Sequence, residues 1–391
     1  MTRKPDDICP RPDVLSPQLT EPAVPPLYTA SVYRCTTPEQ ASQLLSGELH
    51  GYVYSRDGHP NADLLAEKCR ELHGAERAAI CGSGMSALAV ALLSQAAQGD
   101  HVIVGSQLYG RSIQLLTSEA LRLGISSTLV DTCDLDATAA AIQNNTKLIV
   151  VETITNPLLR VPDLAALAAL AKRRGVRLLV DNTFASPAIC RPLDYGADLV
   201  LESLTKIMGG HSDVLLGLLC GREACWQRVP LVLSAWGLSS SPFDCWTALK
   251  GLGTLAVRFD RAASNALVAA KFLAERQEIE TVFFPGLPNH PDHDLARRQF
   301  GEQFGSVVTF TLRGGLPAAK AFIAAAKRIP FCPSLGDLST TLSHPASTSH
   351  RLMPAETRRL QGIDDGTIRL SVGIESASAV IDALAEALAQ A

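Results

Sequence analysis

The sequence of 391 residues is 47% hydrophobic and 19% charged, and its net charge is -4. The length predicts two or three domains, and the composition is typical of a globular protein. It shows no basic stripe and no apolar run of about 20 residues, so neither nucleic acid nor a membrane is expected as a partner. The N-terminus lacks the apolar segment of a secretory signal, and the ten cysteines include no CxxC pair. We therefore expect a cytoplasmic protein with reduced thiols and no metal site.

The first 60 residues are expected to form an irregular arm, which packs on its own chain or on a neighbouring subunit. Seven prolines between residues 5 and 26 oppose a long helix there. From residue 61 onwards, short apolar runs alternate with helical stretches. The predicted strands are residues 78–83, 101–105, 127–131, 147–153, 177–181 and 198–203, and the predicted helices are residues 62–73, 86–95, 112–123, 136–143 and 163–174. This alternation predicts βα units and a mostly parallel sheet that is covered by helices on both faces.

The last third of the chain has a different pattern. Residues 246–275 are predicted to be helical and could lead to a second domain. Beyond them, residues 307–312 and 367–372 alternate like half-exposed strands, and helices are predicted over residues 317–327 and 377–389. We therefore predict an arm over residues 1–60, a large α/β domain over residues 61–250 and a smaller α+β domain over residues 251–391.

The first candidate ligand contact is the turn CGSGMS at residues 81–86, which ends a strand and opens a helix. Glycines such as Gly84 let the backbone approach an anion, and a helix N-terminus offers free N–H groups. Taken alone, the turn fits phosphate binding and an ordinary serine-capped turn about equally well. It also fits the dinucleotide fingerprint G-x-G-x-x-A, but the next strand lacks the acidic residue that this motif requires. An NAD-binding oxidoreductase is therefore the weaker alternative.

Two other strand ends carry titratable side chains. Asp181 could cap the next turn, or it could face a cationic ring nitrogen such as that of protonated pyridoxal phosphate (PLP). Lys206 could be a solvated surface lysine, but burial after a strand would lower its pKa and make it an amine nucleophile. Ser203 and Thr205 add hydroxyl groups that could hold a phosphate. Together with the turn at Gly84, these residues predict a PLP site in which Lys206 carries the cofactor as a Schiff base.

Nine segments carry a resemblance to a known family. They are residues 54–56 (YSR), 83–85 (SGM), 108–110 (LYG), 152 with 156–157 (E, NP), 180–184 (VDNTF), 203–206 (SLTK), 210–213 (GHSD), 334–336 (SLG) and 369–373 (RLSVG). From about residue 25 to the C-terminus, the sequence resembles the Cys/Met-metabolism family of PLP-dependent enzymes. That family includes cystathionine γ-synthases, cystathionine γ- and β-lyases, methionine γ-lyases and O-acylhomoserine sulfhydrylases.

The resemblance implies a fold, an assembly and a reaction. The fold would be that of the type I PLP-dependent transferases, with a mostly parallel seven-stranded sheet in the large domain and a smaller α+β C-terminal domain. The assembly would be a homodimer or homotetramer with active sites at the subunit interface. The reaction would be elimination or replacement at Cγ of a small sulfur-containing or O-acylated amino acid. The alternative within the family is a β-lyase that acts on cystathionine or on cysteine conjugates.

The resemblance also implies a role for each candidate site residue. Lys206 would form the Schiff base and carry protons between substrate carbons, while Tyr109 would stack on the ring and act as an acid or base. Asp181 would pair with the pyridinium nitrogen. The phosphate would be held by Gly84, Met85, Ser203 and Thr205 and, from the neighbouring subunit, by Tyr54 and Arg56. The substrate α-carboxylate would be bound by Arg369, Ser334 and Asn156.

Three positions depart from the family pattern. Residues 59–61 read His-Pro-Asn where the family usually has Asn-Pro-Thr. Arg111 stands where most members have glycine and methionine γ-lyases have cysteine, and Pro333 stands where several γ-specific members have glutamate. Arg111 could reach a polar or anionic distal group of the substrate, or it could face the solvent. The sequence therefore predicts the cofactor but not the leaving group.

Overall fold

The computed structural model of the protein describes residue 20, residues 22–351 and residues 353–390. The strands of the first sheet are β1 (Arg77–Cys81), β2 (His101–Gly105), β3 (Ser126–Val130), β4 (Thr146–Glu152), β5 (Arg177–Asp181), β6 (Leu199–Ser203) and β7 (Gly217–Gly221). The strands of the second sheet are β8 (Ile279–Phe283), β9 (Val307–Leu312), β10 (Thr341–Ser343) and β11 (Thr367–Ser371).

Helices separate most of these strands. In chain order they are α1 (Pro38–Ser46), α2 (Pro60–His73), α3 (Gly84–Gln95), α4 (Gly110–Gln114), α5 (Ala120–Arg122), α6 (Leu135–Ala140), α7 (Leu164–Arg174), α8 (Ser186–Ile189), α9 (Val229–Ala235), α10 (Pro242–Leu252), α11 (Leu255–Ala274), α12 (His293–Phe300), α13 (Gly315–Ala325), α14 (Ala355–Leu360) and α15 (Ala377–Leu388). A π-helical turn over Leu115–Glu119 joins α4 to α5.

The first sheet has seven strands in the order β1-β7-β6-β5-β4-β2-β3. Its strand pairs are parallel except that β7 runs antiparallel to both of its neighbours. The prediction of a mostly parallel seven-stranded sheet is therefore confirmed, although β7 was not among the predicted strands. Because the carboxyl ends of β1, β4, β5 and β6 lie at one edge, the residues that follow these strands are brought together there.

The continuous apolar runs of the central strands have a simple cause. Along β5, Leu178 and Val180 belong to one core with helices α2, α7 and α10, while Leu179 belongs to a second core with α3 and α9. Since helices cover both faces of the sheet, both sets of alternating side chains must be apolar. This layered arrangement agrees with the prediction from the sequence.

The second sheet is antiparallel, with the order β10-β11-β9-β8. The prediction that residues 307–312 and 367–372 are half exposed is wrong, since every residue of β9 and β11 is buried. Helices α11 and α13 pack on this sheet. Thr309 of β9 donates a hydrogen bond to the carbonyl oxygen of Pro157 at 2.6 Å, and Thr311 and Thr367 are within hydrogen-bonding distance of each other at 3.2 Å. The threonine side chains of β9 and β11 are thus satisfied within the protein rather than by solvent.

The N-terminal arm is partly regular. Residues 1–19 and 21 of this predicted segment lie outside the described residues. Helix α1 begins after Thr37, whose side chain accepts a hydrogen bond from the N–H of Gln40 at 3.1 Å, and it ends at Gly47 with φ of 78°. Proline at the first position of α1 fits this start, because the first N–H of a helix has no partner within the helix. Within the part of the chain that the structure describes, no helix is both long and apolar enough to cross a membrane.

Candidate active site

A cavity of about 580 Å³ lies beyond the carboxyl ends of the parallel strands, where the first sheet meets the segments that lead into β10 and β11. This volume is within the range of small-ligand sites. The cavity is lined by these residues with predicted roles: Gly84, Met85, Tyr109, Asn156, Asp181, Ser203, Thr205, Lys206, Ser334 and Arg369. The structure therefore brings together residues that are up to 285 positions apart in the sequence, which is the separation of Gly84 and Arg369.

Lys206 lies in a turn that follows β6 directly. Its N–H donates to the carbonyl oxygen of Ser203 at 3.0 Å, and its own carbonyl accepts from the N–H of Gly210 at 2.8 Å. The amine Nζ donates to Oγ of Ser334 at 2.8 Å. Burial lowers the pKa of Lys206, and the nearby charge of Arg369 lowers it further. The site thus stabilises the neutral, nucleophilic form of this amine relative to a lysine in water.

The side chain of Arg258 on α11 holds the turn that carries Lys206. The Arg258 guanidinium donates to the carbonyl oxygens of Ile207 at 2.9 Å, Met208 at 3.1 Å and Gly251 at 2.8 Å. The sequence analysis missed this residue. A possible signal is that Arg258 interrupts the buried face of α11, where Phe259 and other apolar residues lie. A buried arginine needs several acceptors, and two carbonyls of the lysine turn together with that of Gly251 in α10 supply them.

Asp181 ends β5 and lines the same cavity. Its Oδ1 accepts hydrogen bonds from the N–H of Thr183 at 3.0 Å and from Thr183 Oγ1 at 2.6 Å. Burial raises the pKa of Asp181 to about 6; the bonds from Thr183 oppose this rise, and the buried carboxylate of Glu202 adds to it. A buried carboxylate that is costly to ionise is stabilised when a cationic group is placed beside it.

Arg369 on β11 is 5% exposed and lies across the cavity from the strand ends of the first sheet. Its Nη1 donates to Oδ1 of Asn156 at 2.9 Å, and its Nη2 donates to the carbonyl oxygen of Ser334 at 3.1 Å. Its Nε is buried and has no hydrogen-bond partner among the described residues. Burial lowers the pKa of Arg369 to about 10, while Glu152 acts in the opposite direction. The group remains cationic at neutral pH and has a donor available for a carboxylate.

Glu152 at the end of β4 is a site residue to which the sequence analysis gave no role. Its Oε1 accepts a hydrogen bond from the backbone N–H of Tyr109 at 2.7 Å, whereas its Oε2 is buried without a partner among the described residues. Burial raises the pKa of Glu152 well above its usual value, and Asp181 adds to the rise. Glu152 fixes the backbone of Tyr109, whose side chain is 40% exposed at the mouth of the cavity.

The turn between β1 and α3 can accept a phosphate. Ser83 caps α3 by accepting a hydrogen bond from the N–H of Ser86 at 3.0 Å, so the helix begins at the cavity wall. A Cβ atom at Gly84 would lie 2.9 Å from Cβ of Ser203, so only glycine fits without a shift. Thr205 also lines this end of the cavity. Helix N–H groups and hydroxyl groups around a glycine turn suit a phosphate, so phosphate binding at this turn stays a prediction.

Three predicted site residues do not line the cavity of this chain. Tyr54 and Arg56 lie in the arm, both exposed, with the Arg56 guanidinium carbon 5.0 Å from the centroid of the Tyr54 ring. Arg111 is exposed on α4, and its Nη1 donates to Oε1 of Gln114 at 2.6 Å. Within one chain, Arg111 therefore faces the solvent, which was one of the two alternatives.

The unusual residues 59–61 support the arm rather than the cavity. Nδ1 of His59 accepts a hydrogen bond from the N–H of Ala62 at 3.1 Å and so caps α2. Asn61 accepts from the N–H of Tyr28 at 2.8 Å and donates to the carbonyl oxygen of Pro26 at 2.8 Å. Of the three departures from the family pattern, Pro333 is the one that lines the cavity.

Comparisons with known proteins identify the family of this chain. The sequence model described as "Cys/Met metabolism PLP-dependent enzyme" matches residues 13–389. The L-methionine gamma-lyase of Porphyromonas gingivalis is 39% identical over 359 residues, which cover 91% of this chain and 90% of that protein. The O-succinylhomoserine sulfhydrylase of Pseudomonas aeruginosa is 41% identical over 349 residues, which cover 89% and 86% of the two chains.

A solved structure shows the same architecture. The crystal structure of cystathionine gamma synthase from Xanthomonas oryzae pv. oryzae in complex with aminoacrylate and cysteine has a TM-score of 0.89 and 37% identity, covering 94% of this chain and 93% of that chain. The expected type I fold is therefore confirmed. A glycine turn for a phosphate, a strand-end acid and a buried lysine amine all line the cavity, so the residues present fit PLP. The chain belongs to the Cys/Met metabolism family of PLP-dependent enzymes, and pyridoxal 5'-phosphate is its cofactor.

Proposed function

We propose that this enzyme catalyses elimination or replacement at Cγ of a sulfur-containing or O-acylated amino acid. Family membership makes the chain a PLP-dependent lyase or transferase of sulfur amino-acid metabolism and removes the NAD-dependent alternative. The proposal is carried by one observation: Lys206 and Arg369 line the same cavity and both contact Ser334. Lys206 Nζ donates to the Oγ of Ser334, and the Arg369 guanidinium group donates to its carbonyl oxygen. A proton-carrying amine is thus held beside a carboxylate-binding group.

Lys206 is proposed to move protons at the substrate carbons. When bound, PLP withdraws electrons from the substrate α-carbon and so makes its proton acidic. The lowered pKa of Lys206 raises the share of its amine that is neutral, and the neutral amine can take up that proton. Cγ chemistry needs a second proton to leave Cβ, and the amine lies on a flexible side chain that can reach both carbons. Tyr109, at the cavity mouth, is proposed to stack on the ring and to serve as a second acid or base.

The remaining cavity residues are proposed to hold the cofactor and the substrate. Asp181 is placed to pair with a cationic ring nitrogen, which offsets the cost of its buried charge. We propose that the cofactor phosphate lies against four residues that line the cavity, Gly84, Met85, Ser203 and Thr205. Arg369 binds the substrate α-carboxylate bidentately, with Asn156 and Ser334 orienting the guanidinium group.

The proposed assembly is a homodimer or homotetramer whose active sites lie at the subunit interface. Tyr54 and Arg56 lie in the arm outside the cavity of their own chain, which supports a contact with the phosphate site of a neighbour. We retain the division into an arm (residues 1–60), a large domain (residues 61–250) and a C-terminal domain (residues 251–391) as part of this proposal. A cytoplasmic location is supported by nine cysteines of the described residues that are free thiols.

A product assay tests the proposed reaction. The holoenzyme is incubated separately with L-methionine, L-cystathionine, L-cysteine, and O-acetyl-L-homoserine plus sulfide, and the products are identified. Cγ elimination yields 2-oxobutyrate, and replacement yields a new γ-thioether or thiol. Lys206→Ala is expected to lower kcat by at least about 1,000-fold and to abolish the borohydride-sensitive absorbance of the bound cofactor. Lys320→Ala, which removes an exposed lysine from α13, is the matched control.

Two outcomes would change the proposal. Pyruvate from cystathionine or cysteine without 2-oxobutyrate from any substrate would instead establish the β-lyase alternative. Full activity in Lys206→Ala would remove the proposed role of this amine.

A further inference from the structure

Arg351 is a cationic residue that lines the cavity and has no role in the proposed function. The charged side chains that line the cavity are Asp181, Glu152, Lys206, Arg369 and Arg351. In the proposed function, Lys206 and Asp181 serve the cofactor, Arg369 binds the α-carboxylate, and Glu152 holds the backbone of Tyr109. Arg351 is therefore available for another part of the substrate.

The donors of Arg351 are largely uncommitted. The residue is exposed, and its Nη1 donates to the carbonyl oxygen of Thr348 at 3.1 Å. No carboxylate of the described residues forms an ion pair with its guanidinium group, whereas Arg358 nearby is paired with Asp365 at 3.0 Å. A guanidinium group offers five N–H donors in a planar fork that matches a carboxylate. Arg351 can therefore bind an anion without first breaking an ion pair.

The backbone around Arg351 is fixed relative to the rest of the cavity. The preceding residue, His350, is buried. A Cβ atom at Gly110 would lie 2.5 Å from the carbonyl oxygen of Ser349, so glycine lets this segment pack directly on the start of α4. Since Tyr109 precedes Gly110, Arg351 is held at the side of the cavity where Tyr109 lies.

Both acids that line the cavity already accept hydrogen bonds, Glu152 from the N–H of Tyr109 and Asp181 from Thr183. Among the lining residues, the acids are Asp181 and Glu152, and both end strands of the first sheet. Pro333 and Leu335, on either side of Ser334, line the cavity without adding charge. A carboxylate at the distal end of a substrate therefore finds in Arg351 a cation that is not paired with any carboxylate of the described residues.

We propose that Arg351 binds a carboxylate at the distal end of the leaving group, so that the preferred substrate is an O-acylhomoserine whose acyl chain ends in a carboxylate. This inference rests on the proposed function and names its substrate class; O-succinyl-L-homoserine is the simplest probe. It also assigns to Arg351 the recognition of a distal anion that the sequence analysis considered for Arg111. Arg111 lies outside the cavity and is hydrogen-bonded to Gln114.

The test compares two esters that differ in the distal charge. kcat/KM is measured for O-succinyl-L-homoserine and for O-acetyl-L-homoserine, with L-cystathionine as a substrate whose distal end carries both charges. Arg351→Gln is expected to lower kcat/KM for the succinyl ester about 10- to 100-fold, mainly through KM, and to change that for the acetyl ester less than about twofold. Arg359→Gln, which removes an exposed charge from α14, is the matched control and should leave the ratio unchanged.

An equal loss for both esters would overturn the inference, as would a change in the ratio for Arg111→Gln instead of Arg351→Gln. A larger loss for cystathionine than for the succinyl ester would also contradict it, because the zwitterionic end would then be the preferred group.

A binding assay separates this inference from the reaction itself. L-2-aminononanedioate and L-2-aminononanoate match the succinyl ester in length and differ from each other in the distal carboxylate. Each is titrated into the holoenzyme while the absorbance of the bound cofactor is followed. The dicarboxylate should bind at least about tenfold tighter, and Arg351→Gln should lose this difference. If neither these esters nor methionine nor cystathionine react at Cγ but the preference persists, the proposed function fails and the role of Arg351 in binding a distal carboxylate stands. Equal affinities in the wild type would overturn that role.

Discussion

Lys206 and Ser334 are 128 residues apart in the sequence, and their side chains are joined by a 2.8 Å hydrogen bond from Nζ to Oγ. Lys206 follows β6 of the first sheet, whereas Ser334 lies in the segment before β10 of the second sheet. The carbonyl oxygen of Ser334 also accepts a hydrogen bond from Arg369 at 3.1 Å. Ser334 therefore contacts the amine through its side chain and the guanidinium group through its backbone, so a change of the side chain should affect proton transfer more than substrate binding.

Ser334→Ala tests this link. The variant removes the acceptor for the lysine amine but keeps the carbonyl that Arg369 uses. We expect kcat to fall about 5- to 10-fold, since one hydrogen bond to a charged or polarised group is lost, while KM changes less. Steady-state kinetics checks this, with Ser378→Ala on the exposed face of α15 as the control. A rise in KM without a fall in kcat would show that the hydroxyl does not orient the amine.

Arg369→Lys tests the proposed carboxylate contact. Lysine keeps the positive charge, but a single ammonium group cannot reproduce the planar contacts of Arg369 with Asn156 and Ser334. We expect kcat/KM to fall about 10- to 100-fold, mostly through a higher KM, because the α-carboxylate loses a bidentate partner. Arg298→Lys on the exposed side of α12 should have no effect. The proposed contact would be refuted by an unchanged KM together with a lower kcat.

The residues that could be predicted from the sequence are those that follow recognisable strands. Asp181 and Lys206 stood out because a charged side chain after an apolar run must be either solvated or used. The turn at Gly84 was visible because glycines and a capping serine come between a strand and a helix. Strand β7 was missed because its sequence, GLLCG, is short and bounded by glycines. Gly217 is needed there, since a Cβ atom would clash with the backbone at Ser83.

Other site residues depend on contacts that a sequence does not encode locally. Glu152 accepts a hydrogen bond from the backbone of Tyr109, which lies 43 residues earlier in the sequence. No periodic pattern of residues predicts that contact. Arg351 lies in an irregular segment, so its place at the cavity depends on how the second sheet packs. Arg111 was the more visible candidate because it departs from a family pattern, yet it faces the solvent within one chain. Long-range packing, rather than local pattern, decides which arginine can meet the substrate.

The stability of the cofactor-free protein should depend on pH through Asp181. The pKa of Asp181 is raised to about 6 by burial, whereas an unfolded aspartate has a pKa of about 3.9. The folded chain therefore holds this proton more tightly than the unfolded chain. Its contribution to stability is fully present below about pH 4 and is lost as the pH rises through about 6.

Asp181→Asn should remove this dependence, because asparagine can still accept the two hydrogen bonds from Thr183. At pH 7 the cofactor-free variant should be more stable than the wild type by about 3 kcal/mol, and the difference should vanish below about pH 4. Urea unfolding across this range measures the effect, with exposed Asp382→Asn as the control. A difference that grows as the pH falls would have the wrong sign and would reject the explanation.

Arg258→Met should destabilise the turn that carries Lys206. The guanidinium group donates to three carbonyl oxygens, those of Ile207, Met208 and Gly251, and methionine leaves all three without this donor. At roughly 1 kcal/mol for each buried hydrogen bond, the loss in the free energy of unfolding should be about 3 kcal/mol. Arg261→Met, three residues further along α11 and exposed, should cost less than about 0.5 kcal/mol.

Because the lost contacts hold the lysine turn, the Arg258 variant should also bind the cofactor more weakly, and the effect should be larger than the loss of stability alone explains. Cofactor titration at a temperature where both variants remain folded measures this. If Arg258→Met unfolds more easily but binds the cofactor as tightly as the wild type, Arg258 supports the packing of α11 and does not position Lys206.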